Sequence, residues 1–194
     1  MLKRVGEGGE SMLAKIRPTI DELYQLPGKA EIVNGEIEIM SPTGGDPGYA
    51  GDEIYVSLRE YAKRTKKGRA VSDNKGFCVN LPNRASFSPD AAFYIGPNPG
   101  MKFYEGSPVF AVEVRSEGDY GAPTERKMAE KRRDYFAAGT LVVWDVDLLS
   151  QDVVCVYRST KPDAPTIYQD GDTAEAEPAV PGWRMPVANL FSEL

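Results

Sequence analysis

Histidine is missing from all 194 residues, and that absence removes more chemistry than any other feature of the sequence. Ser–His and Cys–His catalysis need an imidazole to move protons, and many zinc sites need one as a ligand. Cysteine is nearly as scarce. Cys78 and Cys155 are the only two; each lies in a strand-like apolar run, the setting of a buried reduced thiol rather than of a disulfide or a nucleophile. Long apolar runs are lacking as well, and none approaches the roughly 20 residues that a membrane helix needs. The opening "MLKRVGEGGESMLAKIRPT" carries basic residues but no apolar stretch, so it does not read as a secretory signal. Met1–Arg17 reads as a flexible extension ahead of one domain over residues 18–194, and a cytoplasmic protein is expected. The chemistry that remains belongs to carboxylates, lysine, arginine, tyrosine, or a metal held by carboxylates. Hard oxygen ligands of that kind suit Mg²⁺ or Mn²⁺.

What is present fits a folded domain: 41% of residues are apolar and 27% charged, the proportions of a globular protein. A net charge of −6 argues against a general nucleic-acid binder. The positive charge is nevertheless concentrated, in "KRTKKGR" (Lys63–Arg69) and "ERKMAEKRR" (Glu125–Arg133). Each run reads first as a solvated helix face, although an acidic protein can carry a local phosphate-binding face.

Along the chain, "PTIDELYQLP" predicts a helix with Thr19 and Glu22 as a capping box, ended by Pro27. "AEIVNGEIEIM" predicts a hairpin turning at Asn34–Gly35. Ala50, Ile54, Leu58, Tyr61 and Ala62 then recur at helical spacing. Strands follow in "RAVSDNKGFCVNLP", Phe87–Ile95 and Val109–Arg115. A helix over "TERKMAEKRRDYFAAG" closes at Gly139, and two more strands follow in "TLVVWDVD" and "DVVCVYRST". The remainder is rich in Pro and Gly, with a short last element near 187–194. The order predicts an α/β or α+β fold: a central mixed sheet flanked by helices, with an N-terminal helix and hairpin.

Within these strands two charges stand out. In "SPDAAFYI" (Ser88–Ile95), Asp90 shares a face with Ala92 and Tyr94. In "VFAVEVRSEGD" (Val109–Asp119), Glu113 shares a face with Ala111 and Arg115. An unpaired charge in such a strand costs several kcal/mol, so each needs a partner. Arg115 or a helix lysine would make the pair a static ion network; a divalent cation would make it a reactive centre, with a nearby Lys or Arg stabilising developing charge. On the long basic helix, Met128, Ala129, Tyr135, Phe136 and Gly139 form the core-facing stripe, with Lys131 on its edge. Arg132 falls in the middle of that stripe, either as a snorkelling surface arginine or as a phosphate contact.

The series "TIDELYQLP … AEIVNGEIEIMSP … SPDAAFYI … FAVEVRSEGD … EKRRDYFAAGTLVVWDVD" resembles the Uma-type putative restriction endonucleases, a large bacterial branch of the PD-(D/E)XK nuclease superfamily. The likeness runs from about Thr19 to the C-terminus. It implies a restriction-endonuclease-like sheet with Mg²⁺ or Mn²⁺ held by Asp90, Glu113 and the Val114 carbonyl. It places Glu31 as an outer member of the site and Lys131 as its basic group. The superfamily's lysine two residues after the glutamate is Arg115 here; arginine holds its proton too tightly for a general base but can stabilise a phosphorane-like charge. Lys127 and Arg132 are the expected nucleic-acid contacts.

The function these readings imply is metal-dependent hydrolysis of DNA phosphodiester bonds. DNA is the expected partner, and a homodimer is expected wherever both strands are cut. Two alternatives stand beside it. One is an inactive nuclease-fold module that binds nucleic acid or a protein, and the other is a structural domain whose buried acids form ion pairs.

Overall fold

A computed structural model describes residues 17–192, so residues 1–16 of the expected extension lie outside the described residues. The Glu22 carboxylate accepts from the Thr19 backbone N–H and hydroxyl, as the capping box requires. The helix that follows, α1 (Ile20–Leu23), is one turn long. It stops short of Pro27 because Leu23 is its only buried side chain, too little tertiary packing to carry a longer helix. The hairpin forms as expected from β1 (Ala30–Val33) and β2 (Glu36–Ile39). Asn34 and Gly35 both take positive φ, 52° and 73°, as a two-residue turn of this twist demands.

Helix α2 (Gly45–Thr65) buries Ala50, Gly51, Ile54, Leu58 and Tyr61, a single stripe at helical spacing. It leads into β3 (Arg69–Ser72), the two-residue strands β4 (Phe77–Cys78) and β5 (Ser86–Phe87), β6 (Ala91–Tyr94), β7 (Tyr104–Glu105) and β8 (Phe110–Val114). Helix α3 (Ala122–Ala137) crosses from β8 to β9 (Val142–Val146), which is followed by β10 (Val154–Arg158) and β11 (Lys161–Tyr168). A last hairpin, β12 (Thr173–Glu175) and β13 (Arg184–Pro186), ends in a 3₁₀ turn at Val187–Leu190.

Six strands make the central sheet, in the order β11-β10-β9-β8-β6-β3. Only the β8–β9 pair, joined through α3, is parallel; the others are antiparallel, so the sheet is mixed. All five residues of β9 are buried, because both faces of the sheet are covered there. On one face Ile54 and Leu58 of α2 meet Phe93, Phe110, Val112 and Trp144. On the other, Tyr135 of α3 packs with Phe87, Ala92, Ala111 and Val143. The fold is the expected mixed α+β sheet between helices. No helix among the described residues is long and apolar enough to cross a membrane.

The Pro- and Gly-rich tail carries more structure than its composition signals. Strand β11 contains Pro162 and Pro165, which an edge strand tolerates because one side of it needs no partner. Further on, Trp183 is 2% exposed. Its ring lies 5.1 Å from Trp144 and 5.6 Å from Phe110, and its indole N–H donates to Ser57 Oγ at 3.0 Å. The tail therefore closes the α2 face of the core. Replacing Trp183 by alanine is expected to lower the unfolding free energy by about 3–5 kcal/mol, read from urea denaturation. A loss below ~1 kcal/mol would show that the tail is not part of the core.

A row of carboxylates as the candidate active site

Asp90 and Glu113 meet where the β6–β8 pairing ends. The register sets Ala91 opposite Val112 and Ala92 opposite Ala111. One step further the Asp90 N–H donates to the Val112 carbonyl at 3.0 Å, so Asp90 stands across from Glu113. On the other side of β8, the parallel register pairs Glu113 with Asp145 of β9. Three carboxylates thus lie in one row across the sheet, on the face that α3 covers.

Each has its own cation. Lys29, just before β1, places Nζ 2.5 Å from Asp90 Oδ1 and 2.7 Å from Asp73 Oδ1. Lys131 of α3 sits between Glu113 Oε2, at 2.8 Å, and Glu31 Oε1, at 2.9 Å. Asp145 is gripped by two guanidiniums, Arg115 Nε at 2.8 Å and Arg132 Nη1 at 3.1 Å. Arg115 also pairs with Glu125, and Arg132 lies 4.1 Å above the Tyr157 ring.

A second tier fixes the first. Glu31 is 2% exposed. It accepts from the Ser88 N–H at 2.8 Å and from the Arg84 guanidinium, which also holds Asp134 at 2.8 Å. Tyr135 donates its hydroxyl to Glu113 Oε1 at 2.6 Å, and its ring stacks on Phe87 with centroids 4.0 Å apart. The Val114 N–H donates to Asp90 Oδ2 at 2.7 Å.

These environments separate the acids. Burial opposes the charge of Glu31, but Lys131 and Arg84 outweigh it and hold the carboxyl below its ordinary range. At Glu113 burial dominates; Lys131 offsets only part of it, and Asp90 and Glu31 add to it, so that carboxyl is pushed up. Burial alone would strip the proton from Lys131, yet Glu113 and Glu31 reverse this and keep it an ammonium. Lys29 is raised in the same way, with Asp90 and Glu113 overcoming its burial. Tyr135 keeps its proton because burial and then Glu113 oppose its ionisation.

Asp73, Asp90, Glu113, Glu31 and Asp134 share this cluster with Lys29, Lys131 and Arg84, five carboxylates to three cations. The surplus equals the charge of one divalent cation. Among the described residues no group of three or more acidic, thiol or imidazole side chains is arranged as a ready metal cage. Mg²⁺ and Mn²⁺ do not require one, since one or two carboxylates with water and substrate oxygens usually suffice. Asp90 and Glu113, facing each other with hard oxygens, fit such an ion. Beside Asp90 opens a cavity of about 120 Å³ lined by Thr43, Gly48, Gly51, Asp52 and Asp73.

Of the residues singled out from sequence, Asp90, Glu113, Glu31, Lys131 and the Val114 backbone come together. Arg115 and Arg132 are joined to Asp145 instead, and Lys127 is exposed on α3. The stripe expected on α3 is polar in part: Met128, Ala129 and Phe136 are half-buried, Gly139 is exposed, and Arg132 lies over a carboxylate. Lys29, Asp73, Arg84, Tyr135 as a donor and Asp145 are members that sequence reasoning missed. One of them left a signal: Asp145 is a charge in an apolar run just as Asp90 and Glu113 are.

A family model described as "Putative restriction endonuclease" (Uma2) matches residues 20–188, and the chain belongs to that family. No functionally curated protein matches it. Among solved structures it is similar to a putative nuclease of the DUF820 group from Anabaena variabilis, with 18% sequence identity and a TM-score of 0.69. The alignment covers 90% of this chain and 97% of the other, a likeness of fold.

The electrostatics divide the acids into one that the fold needs and one that it tolerates. Glu31→Gln is expected to cost about 3–5 kcal/mol of stability, because it removes the buried charge that Arg84 and Lys131 share. Glu113→Gln should cost about 1 kcal/mol or less, since folding already disfavours that charge. Urea unfolding of the two variants checks the order; equal losses would refute it.

Proposed function

We propose that this chain is a Mg²⁺- or Mn²⁺-dependent endonuclease that hydrolyses DNA phosphodiester bonds. The observation that carries this reading is the pair of facing carboxylates, Asp90 and Glu113, set in a partly buried cluster that is short of two positive charges. Asp90, Glu113 and the Val114 carbonyl would hold the ion. When bound, a divalent cation supplies Lewis acidity toward the scissile phosphate and the attacking water.

The chain's own groups do the rest. Tyr135 and Val114 aim the two carboxylates through their hydrogen bonds. Glu31, itself anchored by Arg84 and Ser88, sets the Lys131 ammonium beside Glu113. Lys131 stays charged and therefore stabilises the pentacovalent phosphorane electrostatically rather than taking a proton. Arg115, whose guanidinium is committed to Asp145 and Glu125, supports the site through that neighbouring carboxylate. Lys127, exposed on α3, would meet the DNA backbone. Two copies of the chain would serve to cut both strands of a duplex.

One observation favours a second reading. Both central carboxylates already have an ammonium partner, and a nuclease fold that binds without cutting would look the same. Incubation of supercoiled plasmid with the protein and Mn²⁺ separates the two. Cleavage is expected, and Asp90→Asn, Glu113→Gln and Lys131→Met should each lower the rate by about 10²–10³, while Arg115→Lys keeps most of it. Absence of metal-dependent cleavage, with DNA binding that falls steeply with salt, would favour the binding module. Full activity in the Asp90 and Glu113 variants would overturn the assignment.

A further inference from the structure

We propose that Lys29 is a tethered counter-ion for Asp90 which Asp73 draws aside when a divalent cation binds, so that the Lys29–Asp73 pair sets the affinity of the site. The proposal rests on the metal-binding reading above. Both oxygens of Asp90 are already engaged, Oδ1 by Lys29 at 2.5 Å and Oδ2 by the Val114 N–H at 2.7 Å. The backbone donor is fixed by the sheet. A cation arriving on the Oδ1 side of Asp90 must therefore share that oxygen with Lys29 or displace it.

Lys29 is largely screened from solvent, its side chain only 12% exposed. It has a second place to go. Asp73, beyond the end of β3, is 2.7 Å from the same ammonium and 37% exposed. Its carboxylate otherwise accepts only the Asn74 N–H, at 2.6 Å, among the described residues. A lysine is suited to such a shift, since its ammonium is a point charge with rotatable donors on a flexible stem.

The second lysine of the site is built differently. Lys131 also bridges two acids, but its outer partner, Glu31, is itself fixed by Arg84 and the Ser88 N–H. Lys131 is held in place, whereas Lys29 has slack on the Asp73 side. The cavity of about 120 Å³ lies on that same side, lined by Asp73 and Asp90 together. It has room for a few waters and gives a hydrated ion a path to the carboxylate that Lys29 covers.

The experiment is calorimetric titration of Mn²⁺ into the full chain, its Lys29→Met and Asp73→Asn variants and the double variant, with circular dichroism to confirm folding. Lys29→Met is expected to bind Mn²⁺ at least about tenfold more tightly, and Asp73→Asn about tenfold more weakly. The double variant should match Lys29→Met, because Asp73 acts through Lys29. Lys29→Gln replaces Lys29→Met should the latter fail to fold. Wild-type binding with no tightening in the Lys29 variants would overturn the proposal and leave the metal reading intact. A double variant weaker than Lys29→Met by the full Asp73→Asn factor would also overturn it, since Asp73 would then act through its own charge. No Mn²⁺ binding by any of the folded chains would overturn both.

Discussion

A carboxylate on a covered sheet face is tolerable only if an opposite charge comes within hydrogen-bond reach of it. Here three stand side by side, Asp90, Glu113 and Asp145, and much of the surrounding structure answers to them. Helix α3 covers that face with only Tyr135 fully buried; its half-buried positions include Lys131 and Arg132 beside Met128, Ala129 and Phe136. The β1–β2 hairpin stands outside the central sheet. It is fastened by the Glu31–Arg84 pair and by hydrogen bonds such as Ile32 N–H to Ser86 Oγ at 2.9 Å. Lys29 comes to Asp90 from the same hairpin. A helix and a hairpin that bury little oil on this side are held by charge instead.

The cations are not interchangeable. Asp145 is held by two arginines, whose planar forks fix a carboxylate from two directions and do not give up their protons. Asp90 and Glu113 are each held by one lysine, and of the two only Lys29 has slack, toward Asp73. The row therefore has one sealed end and one open end, with the cavity on the open side. Tyr135 marks the boundary between roles, since its ring belongs to the core through Phe87 while its hydroxyl belongs to Glu113.

The sheet and its helices were legible because their signals are periodic. The α2 stripe, the Asn34–Gly35 turn and the apolar runs of β6, β8 and β9 each follow from spacing within a dozen residues. The tail was not, because β11 carries two prolines and β12 and β13 are three residues each; their order comes from pairing and from Trp183 rather than from local pattern. At the site, Asp90 and Glu113 could be found since a charge in an apolar run is anomalous on its own. Lys29, Asp73 and Arg84 lie in polar stretches where a charge is ordinary. What distinguishes them is a partner 61 residues away for Lys29 and 53 for Arg84, a relation that only the folded chain expresses. Arg132 looked out of place for the converse reason, as its carboxylate lies on another element.

The manner in which Trp183 closes the core bears on synthesis as well as on stability. The strands that carry Asp90, Glu113 and Asp145 leave the ribosome well before residues 174–190 do. Until that segment follows, Phe110 and Trp144 lack the indole that packs on them, and the α2 face of the sheet stays partly bare. A nascent chain exposing such a surface is prone to self-association.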